Sequence, residues 1–97
     1  MRVIGLEEVE TFLKKHAALR QVFAAWLAEA KAANWQSPQD IKERYQSASF
    51  ISGTKGKRVI FNLKGNSYRL DCYIDYRRSI VRIHRLGTHA DYDRWRF

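Results

Sequence analysis

Arg58-Val59-Ile60-Phe61-Asn62-Leu63-Lys64, Arg69-Leu70-Asp71-Cys72-Tyr73-Ile74 and Val81-Arg82-Ile83-His84 are runs whose alternate positions divide into an apolar and a polar set. Successive side chains of a strand point to opposite faces, so this alternation marks half-buried strands. Val59, Phe61 and Leu63 share one face with Leu70, Cys72, Ile74, Val81 and Ile83. The opposite face carries Arg58, Asn62, Lys64, Arg69, Asp71, Tyr73, Arg82 and His84. If the apolar sets form one core, the polar sets form one surface. Such a surface can hold a phosphate backbone, and its His and Tyr can move protons.

Turn signals separate these strands. Gly65-Asn66 reads as a tight hairpin, and Tyr76-Arg77-Arg78-Ser79 as the next turn. Phe50-Ile51 starts an earlier strand, followed by the turn Gly53-Thr54-Lys55-Gly56. Upstream the period changes to that of helices. Leu6, Val9, Phe12 and Leu13 form a first stripe, with Glu7, Glu8 and Glu10 at its start and Lys14 and Lys15 at its end. Leu19, Val22, Phe23, Trp26, Leu27 and Ala30 form a second in an Ala-rich stretch that stops near Asn34-Trp35. Ser37-Pro38-Gln39-Asp40 opens a short third helix running to about Tyr45, with Ser37 as cap and Asp40 reaching back. Arg2-Val3-Ile4 reads as a short edge strand broken by Gly5. The expected fold is a single α+β domain over residues 1–97. N-terminal helices pack on one face of a C-terminal antiparallel β-sheet, and the other face is left open.

Ninety-seven residues, 45% of them hydrophobic, suffice for one modest core. The net charge of +8 is unevenly placed: residues 46–97 carry eleven Lys and Arg against four Asp, residues 1–45 seven against six acids. Excess charge on the strands favours a polyanion, nucleic acid first and an acidic protein second; solubility alone is the third explanation. The single Cys72 lies on the apolar face and reads as a small buried hydrophobe. Met1 to Gly5 lacks the apolar run of a signal peptide, and no stretch is apolar enough to cross a bilayer. A cytoplasmic protein with no membrane partner is expected.

The chemistry centres on His89, which follows Gly87-Thr88, and on Tyr92 three residues later. On a helical turn those two positions share one side. A lone surface His is more often inert than catalytic, and a charged sheet face more often serves solubility. Together, though, these residues match what RNA cleavage needs: a base for the 2′-OH, an acid for the leaving 5′-oxygen and cations for the transition-state charge. His89 and Tyr92 supply the first two, Lys64 and Arg69 the third. Arg58, Asn62, Asn66, Tyr73, Arg82 and His84 are expected to hold the flanking RNA by charge, hydrogen bonding and stacking. Asp71, Asp75, Asp91 and Asp93 are scattered among cations, and His84 and His89 have no zinc-ligand spacing, so no metal or other cofactor is expected. His16 sits at a helix junction and reads as a junction residue. No phosphate-cradling Gly-rich loop and no acyl-transfer order of Ser, His and Asp is present.

Phe61-Asn62-Leu63-Lys64-Gly65-Asn66-Ser67-Tyr68-Arg69-Leu70, followed by Gly87-Thr88-His89-Ala90-Asp91-Tyr92-Asp93, resembles the HigB-type toxins of bacterial type II toxin–antitoxin systems. Ala33-Asn34-Trp35-Gln36-Ser37-Pro38-Gln39-Asp40-Ile41 is similar to the family's middle segment, so the likeness runs from Val3 to Trp95. The resemblance implies a RelE-like α+β fold and cleavage of mRNA without metal, typically on the ribosome. It implies a HigA-type antitoxin with a helix-turn-helix domain, through which the pair binds operator DNA and represses its own operon. Lys64 and Arg69 match the sheet cations of RelE-like enzymes. His89 stands where a RelE-type enzyme has a catalytic arginine, Tyr92 or Trp95 near its C-terminal aromatic, and Asn62 where a second lysine would be. Two other classes fit the same basic face. A non-enzymatic RNA- or ribosome-binding module would survive loss of His89, and an interaction protein docking an acidic partner would cleave no RNA.

Overall fold

The computed structural model describes residues Met1–Phe97. The elements run β1 (Arg2–Ile4), α1 (Glu7–Lys15), a 3-10 turn (Ala17–Leu19), α2 (Arg20–Ala32), α3 (Pro38–Arg44), β2 (Ser49–Phe50), β3 (Arg58–Leu63), β4 (Tyr68–Asp75), β5 (Ile80–Thr88) and α4 (His89–Arg94). The strands form one sheet in the order β1-β5-β4-β3-β2. β2 to β5 are antiparallel as expected; β1 joins the edge parallel to β5, which makes the sheet mixed. The chain can reach that edge because Gly5 adopts a positive φ of 88° and passes close to β5: a Cβ there would lie 2.4 Å from the Ile83 carbonyl oxygen.

The register confirms the expected faces. Val59, Cys72 and Ile83 form one cross-strand row under the helices, and Phe61, Leu70 and Leu86 the next. All six are buried in a core that also takes Val9 and Leu13 of α1, Phe23, Trp26 and Ala30 of α2 and Ile41 of α3. Phe61 is the centre of this core. Its ring lies 5.3 Å from Trp26, 5.9 Å from Trp35 and 5.2 Å from Tyr45, in the offset and edge-on arrangements that aromatic quadrupoles favour. Cys72 is fully buried among these side chains, and that burial pushes its thiol well above the ordinary range. α3 begins differently from the expected box: the Ser37 side chain makes no capping bond, while the Asp40 carboxylate reaches back to the Gln36 N–H at 2.9 Å. No helix is long and apolar enough to cross a membrane.

A β-bulge decides what the polar face holds. Asp71 pairs with Arg85 and Cys72 with Ile83, so His84 is an extra residue on β5. Without it, Arg85 would turn into the core and Leu86 out of it. With it, the polar face consists of three rows: Arg58, Tyr73, Arg82 and Ile4; Ile60, Asp71 and Arg85; Asn62, Arg69 and Gly87. This face is only partly open. α4 and the residues after it fold back over it at Gly87.

Candidate active site

Hydrogen bonding fixes where β5 becomes α4. The Thr88 hydroxyl accepts the Asp91 N–H at 3.1 Å, and the Asp91 carboxylate accepts the Thr88 N–H at 2.9 Å. This reciprocal box satisfies two donors that a helix start leaves orphaned. The backbone bond from Thr88 also holds the Asp91 carboxyl below its ordinary value. The helix therefore starts at His89, whose own N–H donates to the Ser67 carbonyl at 3.1 Å. Gly87 makes the close return possible. A Cβ on it would lie 2.8 Å from both the Asp91 Cβ and the Trp95 Cζ2.

Under this corner lies Arg69, only 8% exposed. One guanidinium nitrogen donates to the Asn66 carbonyl at 2.7 Å; the other meets His89 Nδ1 at 3.1 Å. The Tyr92 ring covers the guanidinium at 5.3 Å from ring centre to Cζ, a cation–π stack. Arginine can only donate, so Nδ1 is the acceptor and the hydrogen of neutral His89 sits on Nε2. Nε2 is 3.8 Å from an Asp93 carboxylate oxygen. The imidazole itself remains largely exposed, within reach of a ligand. Lys64 stands in the β3–β4 turn with a left-handed backbone, exposed and with no hydrogen bond or ion pair on its ammonium. That turn is knitted to the same corner through the Asn66 and Ser67 carbonyls. Arg69 thus touches both His89 and Tyr92, with Lys64 on the adjoining turn.

The other expected RNA contacts divide. Tyr73 and Arg82 face each other across β4 and β5, 5.5 Å from ring centre to Cζ, two rows away from Arg69. Asn62 shares Arg69's row, but its amide donates to the Ser47 carbonyl at 3.2 Å and ties down the segment before β2. Asn66 contributes its carbonyl to the site. Arg58 is engaged in a fork on the buried Asp71 at 2.6 and 2.7 Å, which raises its pKa further. His84, the extra residue of the bulge, lines a cleft with Ile4, Gly5, Glu7, Glu8 and Arg82. His16 stacks on Phe12 at 4.1 Å and meets the Tyr68 hydroxyl at 3.4 Å, as suits a junction residue. No three His, Cys, Asp or Glu side chains converge in a way that could hold a metal ion.

The family of HigB toxins, described as the RelE-like toxic component of a toxin–antitoxin system, matches residues 19–95. The chain belongs to the HigB toxin family. No curated protein matches it. The matched stretch contains the whole Arg69–His89–Tyr92 cluster and the Lys64 turn, and leaves out β1 and α1.

In this HigB-family chain the sequence pattern passes over one cation. Arg85 donates to Asp71 at 2.8 Å, so Arg58, Asp71 and Arg85 form a triad around one fully buried carboxylate. Trp95 stacks on Arg85 at 4.3 Å, and Phe97 lies over both Arg58 and Arg85 at 5.3 and 5.2 Å. The signal for Arg85 was the pair His84-Arg85 ahead of Leu86: two consecutive polar residues in an alternating strand mark a bulge.

Proposed function

We propose that this protein is the toxin of a type II toxin–antitoxin pair and acts as an endoribonuclease. Its substrate in this reading is mRNA, engaged on the ribosome in the cytoplasm, and cleavage arrests growth. A HigA-type helix-turn-helix antitoxin is its partner, and operator DNA is bound only through that antitoxin. The observation that carries the reading is the contact of Arg69 with His89 Nδ1 under Tyr92, at the end of a face otherwise rich in cations. Family membership supports the toxin class.

The chemistry follows from that contact. A scissile phosphate draws the Arg69 guanidinium to its non-bridging oxygens and frees Nδ1. Nδ1 then accepts the 2′-OH proton while the 2′-oxygen attacks phosphorus. The imidazolium that forms carries its other proton on Nε2, near the Asp93 carboxylate, which stabilises that charge. Arg69 and Lys64 neutralise the phosphorane. The P–O5′ bond breaks, and the 5′-oxygen leaves with a proton donated by Tyr92. The products are a 2′,3′-cyclic phosphate and a 5′-OH. No step needs a metal ion.

Induction in a sensitive host tests this. Growth should stop while transcripts acquire new 5′ ends inside coding regions, and both effects should disappear in Arg69→Ala. Growth arrest with intact mRNA would show a binding module instead. Intact mRNA and no arrest, together with tight capture of an acidic protein, would favour the docking reading.

A further inference from the structure

Phe97 is one of two large apolar side chains that the fold leaves exposed, at 55%. Single exposed apolar residues are ordinary on protein surfaces. This one is held, because its ring lies over the guanidinium groups of Arg58 and Arg85. Both groups are fixed in turn by the fully buried Asp71. The neighbouring rings repeat the pattern: Trp95 stands on Arg85 and Tyr92 on Arg69. Tyr92 links the other two rings, with its centroid 5.7 Å from Trp95 and 6.5 Å from Phe97. An aromatic layer thus continues from His89 across the polar face, each ring pinned from below by an arginine.

We infer that Phe97, mounted on the Arg58–Asp71–Arg85 triad, is a stacking subsite for an unpaired nucleobase of the bound RNA. The inference rests on the RNA-cleaving reading above. Three features carry it. Aromatic faces stack every base, because each base has a π-face. The arginines beneath leave the platform positively charged, which suits a strand of phosphates. A ring already immobilised by cation–π contacts loses little freedom on binding, so stacking is not offset by ordering. The short distance from Tyr92 places the stacked base on a nucleotide flanking the one held at His89. Trp95 fills the gap at Gly87 and supports the platform from inside.

The experiment uses the full chain and a fluorescent single-stranded RNA made uncleavable by 2′-O-methyl groups. Binding is measured at low salt for the intact strand and for a set with one abasic nucleotide moved along it. In the wild-type protein one flanking position should be sensitive, with affinity falling roughly 5- to 100-fold when its base is removed. Phe97→Ala should bind the intact strand more weakly by a similar factor and lose that sensitivity. Phe97→Trp should retain both affinity and sensitivity. Phe97 is exposed and outside the core, so its variants should keep the wild-type thermal transition. Salt-dependent binding whose abasic profile is the same in wild type and Phe97→Ala would overturn the subsite and leave the RNA reading standing. No binding of any strand by the wild-type protein would overturn the subsite, while the cleavage reading is decided separately by new 5′ ends on ribosome-bound mRNA.

Discussion

Asp71→Ala is the sharpest test of how this fold supports its polar face. The carboxylate is fully buried and accepts three hydrogen bonds, two from Arg58 and one from Arg85. Removing one partner of a buried ion pair leaves uncompensated charge and costs ~3–5 kcal/mol. Here the two guanidinium groups keep 23% and 28% of their side-chain exposure, so they can turn partly to water. The lower end, about 3 kcal/mol, is therefore expected. For a domain of this size that corresponds to a fall in Tm of roughly 12–24 °C. Urea unfolding should show a lower midpoint at unchanged slope, because the surface buried on folding stays nearly constant. Replacing Arg58, Asp71 and Arg85 together by Met, Leu and Met should recover most of the loss, since well-packed apolar groups avoid the desolvation cost. A loss below about 0.5 kcal/mol for Asp71→Ala would mean that the triad contributes no more than a surface ion pair.

Gly87→Ala should displace α4. Its methyl group would meet Asp91 and Trp95 at 2.8 Å, and overpacking of this kind costs ~1–3 kcal/mol. RNA cleavage should fall more steeply than stability, because the helix carries His89. Asp91 makes the α4 start sensitive to acid. Its folded-state pKa lies below the ordinary 3.8, so its contribution is complete above that value and is lost as pH falls through the depressed folded value. Acid titration followed by the His89 ring resonances should show that loosening in the wild type, and Asp91→Asn should remove the pH dependence. Phe61→Ala should cost ~3–5 kcal/mol in urea melts, the range for a large aromatic removed from a packed core. Tolerance of it would mean that the ring cluster of Trp26, Trp35 and Tyr45 closes over the gap.

The core face was legible from alternation alone. Val59, Phe61, Leu63, Leu70, Cys72, Ile74, Val81 and Ile83 all lie where period-2 reading puts them. Pattern counting stops at a bulge, because one extra residue inverts the parity of everything after it. Arg85, not His84, therefore stands opposite Asp71. Ile60 lies buried in the Asp71 row, under what alternation treats as the solvent side. That side is covered because residues beyond α4 return across it, a long-range contact that no local period encodes. The meeting of Arg69, His89 and Tyr92 was legible for a different reason. Tyr92 follows His89 by one helical turn, and the hairpin between β4 and β5 sets Arg69 opposite Gly87. The pairing of Arg58 with Asp71 was not, since strand alternation gives a face but no partner across the sheet.

In the proposed mechanism the RNA's own 2′-OH, deprotonated at His89, cuts the chain. A pre-assembled ribosome–mRNA complex carrying one 2′-deoxy nucleotide at the cleavage position tests this step, with His89→Ala compared in parallel. No cut is expected at the deoxy position, with a 2′,3′-cyclic phosphate and a 5′-OH on the unmodified strand, and a loss of ~10²–10⁴ in rate for His89→Ala at unchanged Tm. Cleavage of the deoxy strand at the normal rate, or full activity of His89→Ala, would contradict that mechanism.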